Sequence, residues 1–533
     1  MARKARSPKA DTTPRRHPSA PPGARPARIV WIGLAVVAGL AIVLAVAGSI
    51  FLHRILASGK IKEWVNQEPE KLRIEYASAS GWNPWAIRVH GLELRSRDPN
   101  VEFWFRIEDA RFSFSPLQLL AHRFHVGKLT GSGLSYRLRI RDDPKKTDAD
   151  HFAALPPISG FGPRPLPPSE PIPGDRNPAP KEKEAHGGEP HASRPFTVEI
   201  DDLRIDAVRE VWIELYRHHG GTGTLAGSFS LAPRRRAQVG PARLTLSGGE
   251  LSLGKHTLLH PATFDTVVTI QQFDPRLVRG DAVWPFITGN LRLEGPLAGL
   301  GFLNYFIDGE PRLSGGAGTG RAAIDIEKGR GKGSVSLDSR GFTAVYRKAN
   351  LHGNATARMR LDDWNFEHNA IDFSGSRIEL TNIDAQEPGP DSRSWHGRFD
   401  LKTAKLRSDA TPPLETQVFV HSTDARPLFT LFNVGLPGWV RGLLKLEGFD
   451  AQARVGLGPK YTRIQGFEGA GGSFRIRGRY LNRKDEADGA FLVESGALSV
   501  GVAIERGKAS VKLAGAQKWF EGGAEPSKEA GGR

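Results

Sequence analysis

Gly289-Asn290-Leu291-Arg292-Leu293-Glu294-Gly295 sets leucine at alternate positions with polar residues between, closed by glycine at both ends. In an extended chain successive side chains point to opposite faces, so this spacing gives a strand with one dry face and one wet face. A helix would need apolar residues three or four apart. The same alternation recurs on both sides of this stretch. Downstream it is carried by Ile324 and Ile326, Val335 and Leu337, Ile378 and Leu380, Phe399 and Leu401, and Val418 and Val420. Phe474 and Ile476, then Leu498 and Val500, continue it towards the end of the chain. Upstream it runs through Leu244-Thr-Leu246 and Phe196-Thr-Val198-Glu-Ile200. Shorter tracts precede these at Leu72 to Tyr76, Ile87 to Leu94, Phe103 to Ile107 and Ser135 to Ile140.

A loose repeat, Gly-x-apolar-x-apolar, begins at Gly249, Gly289, Gly333, Gly397, Gly442, Gly472 and Gly496. Its spacing is irregular, so it is not a fixed-period solenoid. It reads as a turn glycine releasing a new strand each time. At ~13 residues per strand and turn, the β-patterned residues give about 30 strands. At ~4.8 Å per strand a single sheet of that size extends ~145 Å. Pro296 to Phe306 and Arg426 to Leu444 break the pattern with apolar residues at helical spacing, as short helices at a sheet edge would.

Asp142 to Arg194 changes character, with 12 prolines and few large aliphatic side chains. Such a stretch buries too little surface to offset its ordering entropy. It is expected to be a disordered, exposed insert, dispensable for folding. Ile29 to Leu52 is an uninterrupted apolar run, long enough as a helix to cross a ~30 Å hydrocarbon core. Eight basic residues and one acid precede it, and positive flanks stay cytoplasmic. Ala45-Val46-Ala47 has the form of a cleavage site, but the apolar run is longer than a signal peptide's and continues past it. The expected order is a basic cytoplasmic tail over 1–28, a retained transmembrane helix over 29–52 and an N-terminal β region over 53–141. The insert over 142–194, a main β region over 195–515 and a flexible tail over 516–533 follow.

The formal net charge is +16, of which the first 28 residues carry +7. Much of the basicity is therefore a topology signal. The chain has no cysteine, which excludes thiol catalysis and cysteine-ligated zinc or iron–sulfur clusters. An exported chain without disulfides must rely on backbone pairing and apolar burial.

No catalytic signature appears. There is no Gly-x-Ser-x-Gly elbow, no His-Glu-x-x-His and no Walker loop. Gly315-Gly316-Ala317-Gly318-Thr319-Gly320 is followed by a strand rather than the helix N-terminus a phosphate cradle needs, so it reads as a hairpin turn. His122 and His125, and His218-His219, lack a third ligand and read as solvated surface residues. Asp201-Asp202 and Asp362-Asp363 read as turn acids. Arg234-Arg235-Arg236 reads as a solvated charge run. No metal site, cofactor or nucleic-acid partner is indicated, and the chain is not read as an enzyme.

One ordered set of phrases resembles a known family. Phe112-Ser-Phe114-Ser-Pro116-Leu-Gln-Leu119-Leu120, then His125-Val126-Gly-Lys-Leu129, follow the apolar run. Gly289 to Leu297, Leu313-Ser-Gly-Gly316-Ala-Gly318 and Gly333-Ser-Val-Ser-Leu337 come next. Gly496-Ala-Leu-Ser-Val500 and Ala516-Gln-Lys-Trp519-Phe520 close the order. This order over residues 28–140 and 195–515 resembles the AsmA-like proteins and the bacterial bridge-like lipid carriers that include TamB. The proline-rich insert departs from that pattern. The resemblance implies a mainly β chain with a long, twisted, curled, antiparallel-rich sheet forming a gutter in the periplasm, with few helices. It implies membrane lipid as partner, together with outer-membrane or other envelope proteins. Phospholipid transport or outer-membrane biogenesis would be its role. The alternating residues named above are then the candidates for lining the apolar groove. A sheet with one apolar face must in any case be covered, by lipid in a gutter or by a second sheet in a sandwich. The alternative reading is accordingly an anchored β-sandwich module that binds cell-wall glycan or a partner protein.

Overall fold

The computed structural model describes residues 153–158 and most of 72–140 and 197–523. Residues 1–71, with the apolar run 29–52, and the segment 426–444 lie outside the described residues. Among the described residues no helix is long and apolar enough to cross a membrane.

The described strands form one sheet of 26 strands. β1 (Leu72–Glu75) and β2 (Ser78–Ser80) lie end to end against β3 (Ile87–Arg97), which pairs with β4 (Val101–Phe112). β5 (Arg123–Ser132) and β6 (Ser135–Ile140) are collinear and both antiparallel to β4. Gly133, at φ +73°, separates them. β7 (Thr197–Asp206) and β8 (Glu210–Ile213) repeat that line, but run parallel to β5 and β6. β9 (Tyr216–His219) and β10 (Thr222–Ala232) return antiparallel to β8 and β7.

From there the sheet is a meander. β11 (Arg236–Leu253), β12 (His256–Phe273), β13 (Ile287–Leu297) and β14 (Arg312–Glu327) pair in order. β15 (Arg330–Tyr346) and β16 (Ala349–Asn365) follow. β17 (Ala370–Asp372) and β18 (Ser376–Ala385) share one row between β16 and β19 (Trp395–Arg407). β20 (Leu414–Ser422), β21 (Phe449–Gly458), β22 (Tyr461–Gly471) and β23 (Phe474–Arg483) continue the order. β24 (Glu486–Ser495), β25 (Leu498–Glu505) and β26 (Lys508–Lys512) complete it.

Because five pairs of strands are collinear, the sheet has 21 rows, or about 95 Å across at ~4.8 Å per row. That is shorter than the spacing predicts. The reason is strand length: β11 and β12 have 18 residues each, so each strand consumes more chain than the average assumed.

The step from β6 to β7 is the one parallel crossover in this sheet, and residues 141–196 make it. Parallel neighbours need a long return connection, so the insert is a topological requirement. Part of it is packed. Leu155 and Ile158 are buried, and the Pro156 and Pro157 carbonyls accept hydrogen bonds from Arg139 and Arg137 at 3.3 and 3.1 Å. The rest lies outside the described residues.

Bulges bend the sheet. Successive strands carry a register shift or a left-handed residue at neighbouring positions: Ala207, Gly220, Gly248, Gly315 and Gly316, Gly341 and Asn382. An extra residue on one strand bends it locally and increases its twist. Gly315 to Gly320 is thus a bulged part of β14, not a hairpin turn, and Leu300 N–H reaches the Gly315 carbonyl at 2.6 Å. Pro296 to Phe306 holds the end of β13 and one 3₁₀ turn, Gly301–Tyr305, that buries Phe302. At the other end α1 (Ala516–Gly522) is docked rather than loose. Trp519 overlies Gly501, and Arg477 and Arg479 sit 5.7 and 5.3 Å from the Phe520 ring.

Candidate functional site

Residues directly opposed across paired strands share a face. One such line runs Leu337, Ala357, Ile378, Phe399, Val420, Ala451, Gly469, Ile476, Val493 and Val500, from β15 to β25. Leu291 opposes Ile324, Val335 opposes Ala322, which opposes Leu293, and Leu401 opposes Val418. Period two then places Ile326, Leu380, Phe474 and Leu498 with them. All sixteen candidates therefore lie on one face of one sheet. The same face continues towards the start of the chain through Leu291, Thr266, Leu244, Leu225, Ile205, Gly131, Ala110 and Val89.

Burial varies along it. Val89 and Ile205 are fully buried, as are their neighbours in the first rows. Among the candidates, Ile324, Ile326 and Ile476 are buried. Leu498, at the β24–β25 turn, is 74 % exposed and forms rim rather than groove. The other twelve are half-buried. Leu291 and Val335 pack with Ile324 and Ile326 towards one end of the strands, where Trp284, Phe366 and Trp364 stack at 4.4 and 4.3 Å. Leu293, Leu337, Phe399, Val420 and Phe474 pack with Ile476 in a second cluster.

Glycines on this face are part of its construction. Phe491 overlies Gly478 and Phe449 overlies Gly469 from the facing strand, and Trp395 overlies Gly397. A Cβ at any of these three would penetrate the ring. Gly249, Gly289, Gly333 and Gly397 sit within strands, so most of the loose repeat does not mark turns. Gly472 and Gly496, at φ +55° and +57°, do.

The opposite face is polar and charge-paired. Arg292 contacts Asp325 at 2.6 Å and Arg321 contacts Glu294 at 3.0 Å. Arg377 and Arg398 both donate to Asp400, at 2.7 and 2.9 Å. Burial alone would raise the Asp400 carboxyl, but these two hydrogen bonds outweigh it and hold its pKa below the usual value. Asp201-Asp202 and Asp362-Asp363 belong to β7 and β16 rather than to turns, with His125, Arg204, Arg330 and Arg360 as their partners.

His218 departs from the surface reading. It lies on the apolar face between Val211 and Leu251, is 3 % exposed, and neither ring nitrogen has a partner among the described residues. Desolvation, then neighbouring His219, pushes its pKa down. Nearby on this face, burial raises Tyr136 well above the usual phenol value and Tyr216 to about 12. Among the described residues no group of acids and histidines is placed to hold a metal.

No family model, curated protein or solved structure matches this chain.

Proposed function

We propose that this chain is a non-enzymatic lipid carrier of the AsmA-like and TamB-like kind. It is anchored in the inner membrane by residues 29–52 with its bulk in the periplasm, and it serves phospholipid transport or outer-membrane biogenesis. One observation above all supports this reading. A single sheet presents one continuous apolar face on which twelve aligned candidates stay partly exposed, with no second described sheet to cover them. Apolar surface left in water costs ~25 cal/mol per Å², so such a face favours an apolar guest. Acyl chains fit it because the face is long and offers no pattern of polar partners. The charge-paired outer face keeps the remainder soluble.

The test compares carboxylates at open and closed positions. Leu293 and Val420 are half-buried, whereas Ile476 is fully buried. An Asp at the first two reaches water and costs roughly 1 kcal/mol. At Ile476 it is stranded and costs several kcal/mol. Protein purified with its lipid should carry phospholipid. Leu293→Asp with Val420→Asp should shed most of it while melting within a few degrees of the parent. Ile476→Asp should unfold. A parent that never carries lipid, or a double variant that loses lipid only by unfolding, would overturn the reading.

A further inference from the structure

We infer that the charged face carries a second site, a shallow cleft across β19 to β23 that receives an uncharged, hydroxyl-rich glycan strand. The cleft encloses about 630 Å³ and lies on the face opposite the apolar one. Ligand pockets commonly hold ~300–1,000 Å³. Register explains the hollow. Arg398, His421, Asp450, Ala470 and Arg475 oppose one another in sequence across the five strands. Ala470 contributes only a methyl group among long side chains. The row spans four strand spacings of ~4.8 Å, about 19 Å, the reach of a short oligosaccharide.

The chemistry selects the ligand class. Nearly every charge in the cleft is already met. Asp400 is held by Arg377 and Arg398, and His421 meets Asp450 at 2.7 Å. Gln452 donates to Glu468 at 3.1 Å, and Arg477 reaches Glu494 at 3.4 Å. A polyanion such as a nucleic acid needs a run of uncommitted cations to replace its counterions. Among the described residues, Lys402 and Arg475 are the lining cations without an acidic partner, and Lys402 is seated 5.5 Å from the Phe419 ring. What remains is a lattice of planar donors and acceptors with spare capacity, since a carboxylate accepts about four hydrogen bonds and a guanidinium donates five. Vicinal hydroxyls are matched to such groups. Phe419 lies in the same cleft, 36 % exposed on an otherwise charged face. It supplies the apolar contact that the C–H face of a sugar ring seeks. Such a site would let the chain hold a polysaccharide layer on one face while the other carries its own cargo.

The probe is a soluble β-1,4-linked N-acetylglucosamine tetramer, titrated calorimetrically into full-length protein in nanodiscs, with short polyphosphate as the anionic comparison. The tetramer should bind and polyphosphate should not. Phe419→Ala and, separately, Gln452→Ala should each weaken tetramer binding roughly tenfold (~1.4 kcal/mol) with the melting temperature and any bound lipid unchanged. Because both residues lie on the face opposite the apolar one, failure here leaves the lipid reading untouched, and the converse holds. No heat with the tetramer, polyphosphate binding in its place, or tetramer binding indifferent to both substitutions would overturn the assignment.

Discussion

The crossover between β6 and β7 should tolerate shortening only to a length set by the sheet. Thr197 pairs beside Arg123, while Arg137, which holds the connection at Pro157, lies 14 positions further along the same row. At ~3.3 Å per residue the chain must travel up to ~46 Å back from its docking point, which takes about 14 extended residues. Residues 159–196 supply this stretch. Deleting 165–184 leaves 18 of them, enough to keep both the docked turn and the parallel pairing. Deleting 160–191 leaves 6, which reach at most ~25 Å. That variant must surrender either the β5–β7 pairing or the docked turn. Surrendering the turn re-exposes Leu155 and Ile158, each worth ~1.5–3 kcal/mol, and frees the two arginine-to-carbonyl bonds. The loss should reach about 3–6 kcal/mol. Urea denaturation followed by circular dichroism separates the outcomes. The short deletion should match the parent, the long one should shift to markedly lower urea, and Leu155→Asp should reproduce much of that shift. A long deletion as stable as the parent would refute both the docking and the parallel register.

Two further outcomes follow from the apolar face. Gly478→Ala should cost about 1–3 kcal/mol, because the new methyl must displace the Phe491 ring, itself 3 % exposed and edge-on to Phe467 at 6.1 Å. Gly466→Ala, with no described residue near its Cβ, should cost only the ~1–2 kcal/mol of a left-handed backbone at φ +57°. A Gly478→Ala loss well below ~1 kcal/mol by chemical denaturation would show that the ring does not set the requirement. His218 is held neutral by burial, so its folded pKa lies below the unfolded value. Stability is then full above the unfolded pKa near 6.5 and falls as the pH drops from there to the depressed folded value, since the unfolded chain binds the proton first. His218→Leu should raise the melting temperature and narrow the difference between pH 8 and pH 5. A difference as wide as the parent's would sink this account.

What the sequence made legible was local, and what it hid was not. Period two is a property of each strand, so alternation alone placed sixteen residues on one face once pairing joined the strands. His218-His219 obeys the same rule. Adjacent strand residues must face opposite ways, so one of the two had to point inward, and that signal was present in the alternation of Tyr216-Arg217-His218. Gly397 and Gly472 look alike in sequence, each opening Gly-x-apolar-x-apolar, yet one lies in a strand beneath Trp395 and the other in a turn. The difference resides in which ring folds over the glycine and whether its φ is positive, and neither is written in five residues. The insert hid its anchor for the same reason. Leu155 and Ile158 are sparse apolar residues in a proline-rich stretch, and their site is made by Arg137 and Arg139 on a neighbouring element. Composition averages such a pair away. A parallel step in an otherwise antiparallel meander nevertheless demands a long connection. The length of the insert therefore carried the topology that its composition concealed.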